Sequence, residues 1–133
     1  MPKKVIQFSG LGQYGFDIVG ESFYQLALEK ICGGKTGEGH EKKCLATLIC
    51  DNNNPYDKNA IRIEINGLIV GHLKKEDALY YRDLLKKLGQ QEISATCQAL
   101  IIGGWNRGHD DQGHFGVKLD LPLYGEWELD GKI

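Results

Sequence analysis

The chain has 133 residues, with 16 Lys and Arg against 18 Asp and Glu and a formal net charge of −2. That length suits one domain burying roughly 65–70% of the surface its unfolded chain would expose. The charge balance excludes the strong basic excess of proteins that coat nucleic acid nonspecifically, so any nucleic-acid site is local. No apolar run approaches the ~20 residues of a membrane span. The segment MPKKVIQFSG lacks the apolar stretch of a leader peptide, so no membrane association and a cytoplasmic location are expected.

Residues Met1 to Gln13 read as a loosely held lead-in, leaving a core from about Tyr14 to Leu123 and a tail over 124–133. Tyr14, Phe16 and Ile18 alternate with Gly15 and Asp17, a strand pattern that Gly20 breaks. In ESFYQLALEKI, Phe23, Leu26 (or Ala27) and Ile31 fall near helical spacing, which predicts a short helix. Cys32 to Lys43, rich in glycine and charge, reads as a mobile loop. Both alternating sets of Cys44–Cys50 are largely apolar, which predicts a central strand covered on both faces.

Ile61, Ile63 and Ile65 alternate with Arg62 and Glu64, and Asn66-Gly67 follows, the strongest short hairpin signal. A two-residue loop pairs Ile65 with Leu68, Ile63 with Val70 and Ile61 with His72. Lys75 to Leu88 reads as an amphipathic helix with Ala78, Tyr81, Leu85 and Leu88 on one stripe. Glu76 and Asp77 open that helix and Lys86 and Lys87 close it, as its dipole favours. Ile93 to Ile101 and Phe115 to Leu121 alternate as two further strands around the loop GGWNRGHDDQGH, and the tail aromatics read as an edge. Five or six short strands and two helices without βαβ alternation predict an α+β domain, a small OB-like, curled antiparallel β-barrel.

Two metal sets can be written on paper. Cys32, His40, Cys44 and Cys50 have irregular spacings for zinc, and buried free thiols account for them more simply. His109, Asp110, Asp111 and His114 would suit a metal-dependent nuclease, yet no helical or strand spacing fixes them, and a solvated loop accounts for them as well. No Walker or G-x-S-x-G pattern is present.

The stretch DNNNPYD, Asp51 to Asp57, asks for more than a connection. Asn and Asp side chains bond their own backbone in turns and proline fixes φ, so Asn52 to Pro55 can build one rigid corner holding Tyr56 and Asp57. Near His72, Lys74 and Lys75, that corner makes a mixed set: a stacking ring, an acceptor and cations. Asp57 repels phosphate but accepts strongly from a hydroxyl. The plainer alternatives are a turn residue at Asp57, a core-edge ring at Tyr56 and a solvated helix start at Lys74 and Lys75.

VGESFY (Val19–Tyr24), DNNNPYDKNAIRIEINGLIVGHLKKEDA (Asp51–Ala78) and, more loosely, GGW with FGVKLDL (Phe115–Leu121) resemble the HIRAN domain family. The resemblance implies a modified OB-like barrel that binds the 3′ end of single-stranded DNA. By it, Tyr56 and Asp57 hold the terminal nucleotide, with Asp57 accepting from the 3′-hydroxyl. Phe23, with Tyr24 beside it, stacks; His72 and Lys75 contact phosphate, with Lys74 alongside; Phe115 stacks on a base. One family member has arginine then tyrosine where this chain has Ser22 and Phe23, so one phosphate contact and one hydroxyl have no counterpart here. The expectation is a non-catalytic module for DNA repair or fork processing, needing no cofactor or metal and leaving open a larger repair, nuclease or helicase partner. The runner-up is a protein-interaction or accessory domain in which the corner is structural.

Overall fold

The structure, a computed structural model, describes residues 5–89, 93–122 and 127–129. In chain order the elements are β1 (Val5–Ser9), β2 (Phe16–Asp17), a 3-10 turn (Glu21–Phe23), α1 (Gln25–Cys32), β3 (His40–Cys50), β4 (Ile61–Ile65), β5 (Leu68–His72), α2 (Lys75–Lys87), β6 (Ser94–Gly103), β7 (Phe115–Leu119) and β8 (Glu128–Leu129). Six strands form a curled antiparallel sheet in the order β2-β7-β6-β3-β4-β5. The curl ends on itself: just past β2, Val19 exchanges two backbone hydrogen bonds with His72 at the end of β5, each 2.9 Å. With its two helices this is the α+β, OB-like small barrel that the strand pattern predicts.

The lead-in is not loose where it is described. β1 runs parallel to the start of β6, pairing Ile6 with Ala95, and antiparallel to β8, and Ile6 and Phe8 are buried. Trp127 is buried too, stacking edge-on against Phe8, Phe16 and Tyr80. The core therefore reaches beyond 14–123 at both ends; Met1–Lys4, Leu123–Glu126 and 130–133 lie outside the described residues. One carboxylate anchors the intervening loop: Asp120, nearly buried, accepts the N–H of Gly12 at 3.0 Å and that of Tyr14 at 3.4 Å.

The first helical segment splits. Gly20, at φ 83°, starts a 3-10 turn, and the α-helix begins only at Gln25, ending at Gly33 with φ 78°. The stripe is met in part: Leu28 is buried and Ile31 packs against the core, whereas Phe23 and Leu26 are 85% and 84% exposed. Side chains rather than a strand satisfy the free edge of β7 here. Gln25 accepts the Phe115 N–H at 2.7 Å and donates to its carbonyl at 2.9 Å, and Glu21 accepts the Val117 N–H at 3.3 Å.

β3 begins at His40, so the predicted loop to Lys43 is four residues shorter than expected. It is central, between β4 and β6, but only Ala46 and Leu48 are fully buried, and Leu45 is 47% exposed. A curled sheet has one interior, and among the described residues no second layer covers the Leu45 face.

The hairpin has the expected turn, with positive φ at Asn66 (53°) and Gly67 (78°). Its register departs from the expected one. Glu64 pairs with Ile69 but Ile63 pairs with Gly71, a bulge at Val70, so His72 stands opposite Arg62 instead of Ile61. One extra residue reverses which face the following side chains meet. Val70 enters the core, Gly71 slides against β2's continuation, and His72 turns to the outer side with Arg62. A Cβ on Gly71 would stand 2.8 Å from the Val19 carbonyl oxygen, so glycine is required for the closure. α2 buries Ala78, Tyr81 and Leu85 as its stripe predicts.

Candidate functional site

At the seam where β5 meets Val19 lies an open cleft of about 820 Å3, within the ~300–1,000 Å3 of ligand sites. Val19, Gly20, Ala60, Ile69 and Leu73 supply apolar surface; Phe23, Tyr24, Pro55 and Tyr56 add rings; Asp51, Asn54, Asp57, His72 and Lys75 are the polar members.

The corner is built as the residue types dictate. Asn54 Oδ1 accepts the N–H groups of Tyr56 at 2.9 Å and Asp57 at 3.1 Å, while its Nδ2 donates to Asp51 Oδ2 at 3.2 Å. Asp57 Oδ1 accepts the Asn59 N–H at 2.9 Å, and the Ala60 N–H bonds the Asp57 carbonyl at 3.0 Å. The loop base closes with Asp51 N–H to the Ala60 carbonyl at 2.8 Å. These short-range bonds hold the Tyr56 ring 94% exposed at the cleft rim. A carboxylate offers about four lone-pair positions, so Asp57 keeps acceptor capacity beyond its bond to Asn59.

His72 is set by its neighbours. Its Nε2 lies 3.4 Å from Asp51 Oδ2, and its ring centroid is 6.0 Å from that of Tyr24. Asp51 also faces Arg62 (3.6 Å), which in turn pairs with Glu64 at 2.7 Å. The bulge at Val70 makes this row of charges, because it places His72 on the Arg62 side.

Six of the eight expected residues, Phe23, Tyr24, Tyr56, Asp57, His72 and Lys75, therefore come together from three distant segments. Two do not. Lys74 precedes α2 outside the cleft lining, toward Asp17, whose carboxyl is held below its ordinary range chiefly by the Lys118 ammonium and secondarily by Lys74. Phe115 is 2% exposed, lies under the His40 ring at 5.2 Å between centroids, and offers no face to a base. Its alternating strand position put it in the core, which is the simpler fate of an apolar residue in such a pattern.

Neither metal set assembles: among the described residues no group of three or more His, Cys, Asp or Glu side chains could hold an ion. Asp111 instead accepts the Trp105 indole N–H at 3.0 Å, and His109 and Asp110 are almost fully exposed. His40 Nδ1 lies 3.0 Å from the Gly103 carbonyl. The Cys97 thiol is pushed up to about 12, first by burial and then by the Asp120 charge, and burial also raises Cys32 and Cys44.

Sequence reasoning missed Asp51, Arg62 and Arg82. Asp51 reads as a turn residue and the two arginines as exposed positions on a strand and a helix, and only the folded chain brings them to the corner. No helix among the described residues is long and apolar enough to cross a membrane. In comparisons with protein-family models, with curated proteins and with solved structures, nothing matches this chain.

Proposed function

We propose that this chain is a non-catalytic module of the HIRAN type that captures the free 3′-hydroxyl end of single-stranded DNA during repair or replication-fork processing. The observation that carries the reading is the convergence of Phe23 and Tyr24, Tyr56 and Asp57, and His72 and Lys75 on one cleft at the barrel seam. Two exposed rings supply sequence-tolerant stacking, worth roughly 1–3 kcal/mol per base. Asp57 suits a hydroxyl donor and disfavours a terminal phosphate. Lys75 supplies a cation for an internal phosphate, and the His72 ring a nitrogen that can donate to one. Asp51 and Asp57 beside so few cations favour a short contact at an end over a long backbone track, in keeping with the net charge of −2. Phe115 and Lys74 have no part in this reading. It carries with it the cytoplasmic location expected from the sequence and a larger repair, nuclease or helicase partner.

Fluorescence anisotropy with two oligonucleotides tests it. A 3′-hydroxyl strand binds with micromolar-scale affinity and its 3′-phosphorylated twin much more weakly; equal binding overturns end capture. The accessory-domain reading draws on Phe23 and Leu26, 85% and 84% exposed on one shoulder. It is favoured if no single-stranded DNA binds saturably at low salt.

A further inference from the structure

One guanidinium ties the corner to helix α2. Arg82 Nε donates to the Asn59 carbonyl at 2.8 Å, and its Nη2 to the Ala60 carbonyl at 3.1 Å, the Lys58 carbonyl at 3.3 Å and Asn52 Oδ1 at 2.9 Å. The partners flank Tyr56 and Asp57 on both sides. Three successive carbonyls and a side-chain amide converge on one planar fork, a geometry that a lysine ammonium cannot reproduce. The same helix carries Lys75 in its first turn, on the cleft lining. The bonds of Asn54 and Asp57 stay within residues 51–60 and fix the corner's shape. The Arg82 bonds reach from α2 to the corner and fix its placement.

We infer that Arg82 is a positioning residue that sets the spacing between the Tyr56–Asp57 wall and Lys75, and that selection of a strand end depends on that spacing. The inference rests on the end-capture reading and adds to it a residue that touches no ligand. An end is recognised only if the hydroxyl meets Asp57 while the preceding phosphate meets Lys75. A corner free to shift relative to α2 relaxes that coincidence and binds interior segments nearly as well.

The test combines amide hydrogen exchange on the free protein with anisotropy, in Arg82→Lys and in the milder Asn52→Ala, which removes one of the four partners. In Arg82→Lys the amides of residues 56–60 exchange about tenfold faster while those of β3 and β6 keep their protection. The ratio of 3′-phosphate to 3′-hydroxyl Kd falls toward one, and Asn52→Ala shows a smaller change in the same direction. A merely structural role would lower Tm and leave the ratio at its wild-type value, which overturns the inference. Should wild type itself show no preference for the hydroxyl end, end capture fails, and the exchange data decide Arg82 alone. Faster exchange at 56–60 then supports placement of the corner by Arg82, and wild-type exchange overturns it.

Discussion

Asn54→Ala removes the hub of the corner. The substitution deletes two acceptor bonds to the Tyr56 and Asp57 N–H groups and one donor bond to Asp51. A typical hydrogen bond contributes a net ~0.5–1.5 kcal/mol, giving about 1.5–4.5 kcal/mol for three. The corner lies at the surface, where water takes over the orphaned N–H groups, so the low end, about 1.5 kcal/mol, applies. For a 133-residue chain, an unfolding entropy of ~2.1 cal/mol/K per residue converts that to a Tm loss of about 5 °C. A functional cost accompanies the stability cost, because Tyr56 and Asp57 lose a shared anchor and must be ordered on binding. Affinity for a 3′-hydroxyl oligonucleotide is expected to fall about tenfold, or about 1.4 kcal/mol. Asn54→Asp keeps the two acceptor bonds but sets a second carboxylate against Asp51, so it too lowers Tm, and added salt reduces that loss. Differential scanning calorimetry and anisotropy on the same samples decide the matter. Tm within about 1 °C and affinity within about twofold of wild type would refute the view that Asn54 holds the site.

Other perturbations separate fold from site. Tyr56→Ala truncates a ring that is 94% exposed, so Tm stays unchanged while anisotropy reports a loss of ~1–3 kcal/mol, roughly 5- to 150-fold. Gly71→Ala drives a methyl against the Val19 carbonyl, breaking the Val19–His72 closure; chemical denaturation is expected to show a loss of about 1–3 kcal/mol, with the cleft's DNA affinity reduced as well. Cys97, pushed up to about 12 chiefly by burial, and Tyr81, raised by the same cause, keep protons that the unfolded chain releases at lower pH. The folded state then binds more protons, so stability is intact below about pH 8.5 and declines as pH rises toward 12. A Tm that stays flat across that alkaline range, or a Cys97→Ala variant with the wild-type slope, contradicts the assignment.

Much of the barrel was legible in the sequence because its signals are local. The Asn66-Gly67 turn, the alternating isoleucines before it and the Ala78, Tyr81 and Leu85 stripe each arise from backbone preferences or from period within a few residues. The corner was legible for the same reason, since Asn54, Tyr56 and Asp57 bond within four positions of one another. The period of ESFYQLALEKI marked a helix but not its start, because a 3-10 turn precedes it and leaves Phe23 and Leu26 outside. β3 looked covered on both faces because residue type records hydrophobicity and not which side of a curled sheet is the interior.

What the sequence by itself determined is the set of elements, the turn types and the residues able to stack, accept and carry charge. Only the tertiary structure decided which of them meet. The Val70 bulge placed His72 beside Asp51 and Arg62; burial withdrew Phe115 from any ligand; and α2 swung Arg82 onto carbonyls more than twenty residues earlier in the chain. Each of those outcomes depends on register or on contacts between distant segments. A short window of sequence carries neither, because pairing across a closed sheet is fixed by the whole barrel at once.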